Sequence, residues 1–250
     1  MKLRMIACIA AQALILTALT MTGCRRKAEN VDSVTDITET VHTLQLEIGA
    51  ADIRIREGDI LRVETDNPYI TTEIRNGVLT IREKPHVADL DSSEVILEYP
   101  AGTTFREADM EIGAGRMEIE FLTCGKLELE LGAGQTVIHN LTVTEEADIS
   151  GGAGQILIHS GEIRNLDMEL GVGESSITAV ILGNSEIEAG VGSLDLTIPA
   201  PQSEYTLRTK TGIGSVSVNG TPAQRGDMGT GPNRIELAGG VGQIRLSFTG

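Results

Sequence analysis

Seven G-x-G triplets recur along the chain at nearly fixed intervals, and this spacing limits the possible folds more than any other feature of the sequence. Their first glycines are Gly113, Gly132, Gly152, Gly171, Gly190, Gly212 and Gly240, separated by 19, 20, 19, 19, 22 and 28 residues. A weaker copy, LQLEIGAADIRI, puts Gly49 at the head of the series. A period near 20 is the signature of a solenoid, in which no repeat can bury its apolar face without its neighbours.

Alternation within the copies gives the secondary structure. Six residues after each marker stand Ile55, Ile119, Ile138, Ile158, Ile177, Leu196, Val218 and Leu246, all aliphatic. Two residues earlier the set is Ile53, Met117, Thr136, Ile156, Ser175, Leu194, Val216 and Ile244, apolar in six of eight. Before the marker, Leu46, Met110, Leu129, Ile149, Met168, Ile187 and Leu237 form one inward column, broken by Thr209. Period two means strand. The expectation is an all-β fold, a parallel β-solenoid or β-helix with two strands per coil of about 20 residues and room for one further short turn. Residues 44–250 then form a single solenoid domain, regular over 111–250 and less regular over 44–110, where Asn76-Gly77 reads as a hairpin turn.

The glycines read as corners. Where two sheets meet at a tight bend the backbone needs positive φ or close approach to its neighbours, and a column of side chains there would collide. Ligand-binding versions of the motif lack their partners here: no copy is followed by the third glycine and helix of a dinucleotide fingerprint or by Gly-Lys-Ser/Thr of a phosphate loop. The calcium solenoid pattern needs Asp where this chain has Ile156 and Ile244.

The first residues have a separate character. Lys2 and Arg4 precede an uncharged run from Met5 to Gly23, followed by Cys24, which is the order of an export signal. Met21-Thr22-Gly23-Cys24 resembles a lipoprotein processing box, so residues 1–23 are expected to be a signal peptide, Cys24 the lipidated residue, and 24–43 a polar tether. An uncleaved anchor helix fits the same run, since 19 uncharged residues just span a bilayer. Either way the domain is expected at the cell membrane, on its extracytoplasmic face.

Formal net charge is −16, and loss of Lys2 and Arg4 with the signal would make it −18. Such acidity opposes nucleic-acid binding and adhesion to anionic lipid. Cys8 lies in the signal and Cys24 at its end, so Cys124 stands alone and no disulfide framework exists. The chain has no Trp and only three Tyr and three Phe, so the core must be built from Leu, Ile, Val, Ala and Met, and ring stacking on sugars is poorly served.

The segments LQLEIGAADIRIREGD, NGVLTIREK, VILEYPAGTTF followed by EIGAG, and the final GGVGQIRLSF together resemble the bacterial putative-adhesin family of β-strand repeats, domain of unknown function 4097. That resemblance implies a β-solenoid at the cell surface, and supplies no catalytic or binding residues to carry over.

Outward positions before each corner give the surface its character. Asp109/Glu111, Glu128/Glu130, Asp148/Ser150, Asp167/Glu169 and Glu186/Glu188 would stack as two carboxylate rows about 4.8 Å apart per coil, with Arg208/Lys210 in the coil expected next. A solvated face explains these rows, and a weak cation stripe for Ca²⁺ or Mg²⁺, or docking of a cationic surface, is the sharper alternative. His139 and His159 should stack on the other sheet, beside Glu120 and Thr178, where the acidic rows cannot complete a metal site. Cys124 has no histidine at a related position, and the acids are spread evenly, so no enzyme, metal or cofactor is expected. Arg225, Gly226 and Asp227 form a possible adhesive tripeptide in the Gly/Pro-rich stretch 219–234. The expected role is a non-catalytic, adhesin-like binding or scaffolding module. The alternative is an envelope-stress sensing or regulatory component that restrains a membrane partner. The partner is expected to be an envelope protein or the cell wall, and the final strand QIRLSF, read as an open edge, suggests a homodimer.

Overall fold

The computed structural model describes residues 33–86, 93–223 and 226–250; the expected signal peptide, Cys24 and the first part of the tether lie outside them. Among the described residues there is no α-helix, and one 3₁₀ turn at Gln202–Glu204 interrupts an otherwise all-β chain. The early strands are β1 (Ser33–Ile37), β2 (Thr43–Gly58), β3 (Leu61–Thr65), β4 (Ile70–Arg75), β5 (Val78–Glu83) and β6 (Glu94–Pro100). Strand β7 (Phe105–Ile158) keeps an extended backbone round three glycine corners. It is followed by β8 (Gly161–Arg164), β9 (Leu166–Thr178), β10 (Val180–Leu182), β11 (Asn184–Ile198), β12 (Tyr205–Val218), β13 (Thr221–Pro222), β14 (Gly226–Met228) and β15 (Asn233–Phe248).

Eight windings stack in parallel, each turning at one corner. Strand β2 lies on the first winding of β7, with Leu46 opposite Met110 and Ile53 opposite Met117. The last winding of β7 lies on β9, and β9 on β11, always placing one repeat position over the same position in the next. The inward columns expected from alternation are buried throughout, Thr136, Ser175 and Thr209 included. Fully burying one aliphatic side chain stabilises by about 1.5–3 kcal/mol. A lone winding would leave both flanks of each such residue in water, which is why repetition is required. The interval left for a turn is itself a short third strand: Leu141–Val143 of β7 pairs with β8, and β8 with β10, both in parallel.

Corner glycines are required by contact as well as by torsion. Gly115, Gly134, Gly154, Gly173, Gly192 and Gly242 have φ between 123° and 152°. A methyl group on Gly173 would stand 1.8 Å from the carbonyl oxygen of Gly154 in the winding before it. In the first winding this position is Ala51, where φ is not positive and no further winding lies beneath.

Spatial order departs from sequence order at the far end. Strand β15 is inserted between β11 and β12, with Leu237 opposite Ile187 on one side and Thr209 on the other. QIRLSF is therefore an inner strand paired on both flanks, and its edge is not open for a second chain. Leu237 continues the aliphatic column in the interior, while β12, which carries Thr209 in that column beside buried Leu207, Val216 and Val218, closes the stack. The outer edge of β12 is covered in part by β14 at Leu207–Thr209 and by β13 at Ser217–Val218.

Beneath the first winding the sheet divides. The first half of β2 pairs with β5, which forms a hairpin with β4 through Asn76 and Gly77 at φ 51° and 75°. Its second half pairs with β6, followed by β3 and β1 in antiparallel order. Residues 33–37, expected as tether, form β1 because Ile37 is buried and Asp36 holds Arg62 at 2.6 Å.

Glu83 fills the gap between the two halves. Its Oε2 accepts from the backbone N–H of Gly49 at 2.8 Å and of Ala50 at 3.3 Å, standing where the carbonyls of another winding would be. Asn67 donates to its Oε1 at 3.0 Å, and His86 Nε2 lies at 2.8 Å from the same oxygen while its ring stacks on Tyr69. Burial pushes the Glu83 carboxyl up, but the hydrogen bonds outweigh it and hold the pKa below the ordinary carboxylate value. Its stabilisation is present above the unfolded pKa and is lost as pH falls through the lower folded one. Glu83→Gln should therefore cost about 1–3 kcal/mol at neutral pH, with the gap from wild type closing as both are melted at progressively lower pH.

Candidate functional site

Two parallel carboxylate rows occupy the outer face before the corner. Asp148 lies opposite Asp167, Asp167 opposite Glu186, and Glu169 opposite Glu188. Glu128 and Glu130 hold the equivalent places in the middle of β7, and Glu130 is exposed. The rows are longer than the sequence order implies. Glu47 precedes Glu111 at one end, and Glu236 of β15 follows Glu186 at the other. Arg208 and Lys210 terminate the face one winding later than expected, because β15 intervenes. There Lys210 pairs with Glu236, and Arg208 holds Asp227 at 2.7 Å.

Position in the row sets the electrostatics. Partial burial raises the pKa of Glu128, and the charges of Asp109 and Asp148 on either side raise it further, with a smaller push from Glu130 two residues along the same strand. Asp109 and Glu186 are raised in the same way, by burial first and neighbouring carboxylates second. Glu236 is lowered by its bond from Lys210. A raised carboxyl contributes stability below its unfolded pKa and loses it as pH rises through the folded one. Glu128→Gln should consequently raise the melting temperature at neutral pH and low salt. The gain should shrink in high salt, which screens exposed charges, and below the ordinary carboxylate pKa.

On the opposite face the two histidine rings stack as expected, with centroids 5.3 Å apart and planes inclined by 19°. His139 Nε2 reaches Glu118 at 3.1 Å, on the diagonal, instead of Glu120 directly across. That bond lowers the Glu118 pKa.

Among the described residues no group of three His, Cys, Asp or Glu is placed to hold a metal ion. The acids of the expected cation stripe, Asp109, Glu111, Glu128, Glu130, Asp148, Asp167, Glu169, Glu186 and Glu188, stand side by side along the two rows. Strand geometry is the reason, because each carboxylate projects from its own winding, side by side with the next. The second row is also broken, since Ser150 stands opposite Glu169 and separates it from Glu130. Cys124 is fully buried, and desolvation pushes its thiol up to about 12, far from a reactive thiolate. Arg225 lies outside the described residues, whereas Gly226 and Asp227 belong to β14, with the Asp227 carboxylate bound by Arg208.

The middle residue of each corner triplet forms a feature that alternation alone does not bring out. In spatial order these residues are Ala50, Ala114, Ala133, Ala153, Val172, Val191, Val241 and Ile213, joined by the registers of neighbouring windings. The four branched members are 57%, 49%, 48% and 81% exposed. Their signal in the sequence is the change of the triplet from GAG to GVG and GIG, to which a count of inward positions gives no weight. Among the described residues no helix is long and apolar enough to cross a membrane.

A family model described as Toastrack DUF4097 matches residues 41–226. No curated protein matches. Similar solved structures include a putative adhesin from Bacteroides fragilis, at 12% identity over 86% of this chain and 96% of that one, with a TM-score of 0.45. A putative lipid binding protein from Parabacteroides distasonis is 15% identical over 89% and 99%, with a TM-score of 0.44. A putative adhesin from Parabacteroides merdae is 15% identical over 88% and 98%, with a TM-score of 0.38.

Proposed function

The chain belongs to the Toastrack DUF4097 family, and from that premise we propose that it is a non-catalytic, adhesin-like binding or scaffolding module, lipid-anchored through Cys24 on the extracytoplasmic face of the cell membrane. The observation that carries this reading is the periodic surface. Eight stacked windings repeat the same outward positions along a rod, which suits extended contact with another surface. Chemistry is poorly served by the same arrangement. Cys124, the one cysteine among the described residues, is buried with a raised pKa, and the carboxylates lie in rows instead of converging as a pair.

Two measurements on cells test the proposal. Incorporation of a fatty-acid analogue into the wild-type protein, abolished in Cys24→Ala together with membrane retention, is the expected result; equal labelling of both proteins overturns the anchor. Cross-linking in intact cells should join the domain to an envelope protein or to wall material through residues of the acidic face or the corner. Cross-links confined to cytoplasmic proteins overturn the placement.

A further inference from the structure

We propose that the exposed aliphatic row Val172, Val191, Val241 and Ile213, with the carboxylate rows beside it, is a docking surface for a basic amphipathic segment of a partner polypeptide. The inference rests on the binding-module reading above and names the chemistry of its partner. Three observations carry it.

First, the corner does not need these side chains. Ala50, Ala114, Ala133 and Ala153 hold the same position in the other four windings, in unbroken register with the valines. Four adjacent windings nevertheless present branched aliphatics about half exposed or more. A contiguous exposed apolar strip on a soluble β surface marks an interaction site or an aggregation hazard.

Second, the relief suits side chains of a partner. The flanking glycines, Gly171 and Gly173 or Gly190 and Gly192, carry no side chain, so each aliphatic stands between two shallow troughs. At about 4.8 Å per winding, the branched part of the row is about 14 Å long and the whole row about 34 Å. A helix of roughly 22 residues, rising 1.5 Å each, covers that length.

Third, the charge beside Val172, Val191 and Val241 is predominantly acidic. Two residues before the first glycine run Glu169 and Glu188, with Asp167, Glu186 and Glu236 in the adjoining row; Lys210 and Arg208 flank Ile213 alone, where Lys210 pairs with Glu236 and Arg208 with Asp227. On the other flank stand Glu174, Ser193, Gln243 and Ser215. An apolar strip bordered by carboxylates complements a segment with an aliphatic stripe and lysines or arginines along one side. The same charges oppose the other two occupants. A second copy of a chain with net charge −16 would set carboxylates near carboxylates, and an anionic bilayer would be repelled.

The test uses an amidated 22-residue Leu/Lys amphipathic peptide, titrated into the soluble domain and followed by fluorescence anisotropy. Binding should weaken at least tenfold between 50 and 300 mM salt. The triple variant Val172→Ser, Val191→Ser, Val241→Ser keeps every corner glycine, and should weaken binding at least tenfold while its melting temperature stays close to wild type. Glu169→Gln with Glu188→Gln should weaken binding and flatten its salt dependence. Equal affinity of the serine variant, equal binding of a Leu/Glu peptide of the same pattern, or preferential binding to phosphatidylglycerol vesicles would each overturn the proposal. Should the serine variant keep its cross-links in intact cells while the peptide fails to bind, the binding-module reading stands and only this surface is lost.

Discussion

Gly173→Ala, like the same exchange at the equally close corners Gly192 and Gly242, is expected to destabilise the protein by about 4 kcal/mol or more. Two costs add. The residue sits at φ 152°, outside the range an L-alanine adopts readily, and its new Cβ would lie 1.8 Å from the Gly154 carbonyl oxygen. That oxygen belongs to backbone fixed by the winding beneath, so the windings must separate at the corner for the methyl to fit. In a domain of this size the loss corresponds to a fall in melting temperature of about 8–16 °C. The comparison with Gly102→Ala isolates the second cost. Gly102 has φ 78° but nothing within 4 Å of a new methyl, so only the torsional penalty of about 1–2 kcal/mol applies. Similar melting temperatures for the two variants would mean that the stacked corner tolerates separation.

Removal of residues 233–250 should be more damaging than removal of 202–250, although it deletes less. In a solenoid whose windings follow the sequence, trimming the last repeat shortens the rod by one layer. Here the trimmed strand is β15, an inner layer, and its loss strips the partners from β11 and β12 together. Ile235, Leu237, Ile244 and Leu246 leave the core at once, each contributing about 1.5–3 kcal/mol of burial. The longer truncation ends the stack at β11, with one exposed flank and no stranded segment. Limited proteolysis should cut the chain ending at residue 232 within 202–232 and leave the chain ending at 201 resistant. Protection of 205–218 in the longer chain would show that β12 can dock directly on β11, and that Thr209 is no obstacle to an inner position.

Most of the architecture was legible because it is local or periodic. Ile158 and Ile177 could be read as stacked neighbours since each follows its own glycine by six residues, and a solenoid repeats whatever its letters repeat. The exchange of β12 and β15 was not legible. Both segments carry a G-x-G corner and an alternating flank, so either satisfies the pattern on β11, and the choice depends on what Thr209 and Leu237 meet in three dimensions. Glu83 was equally hidden. Nothing in the order of VLTIRE marks its last residue as the acceptor for two backbone N–H groups 34 and 33 residues earlier. The acidic rows were visible as letters, Glu130 and Glu169 among them, but their length depended on Glu236 arriving from outside the regular series.

The placement of β15 also fixes an order of events during synthesis. The ribosome releases residues 205–218 before 233–248, yet the earlier segment has no layer to rest on until the later one has settled against β11. Folding therefore cannot advance winding by winding to its finish, as it can up to Ile198. The last two windings close late, β15 before β12, through pairings that are long-range in sequence and correspondingly slow.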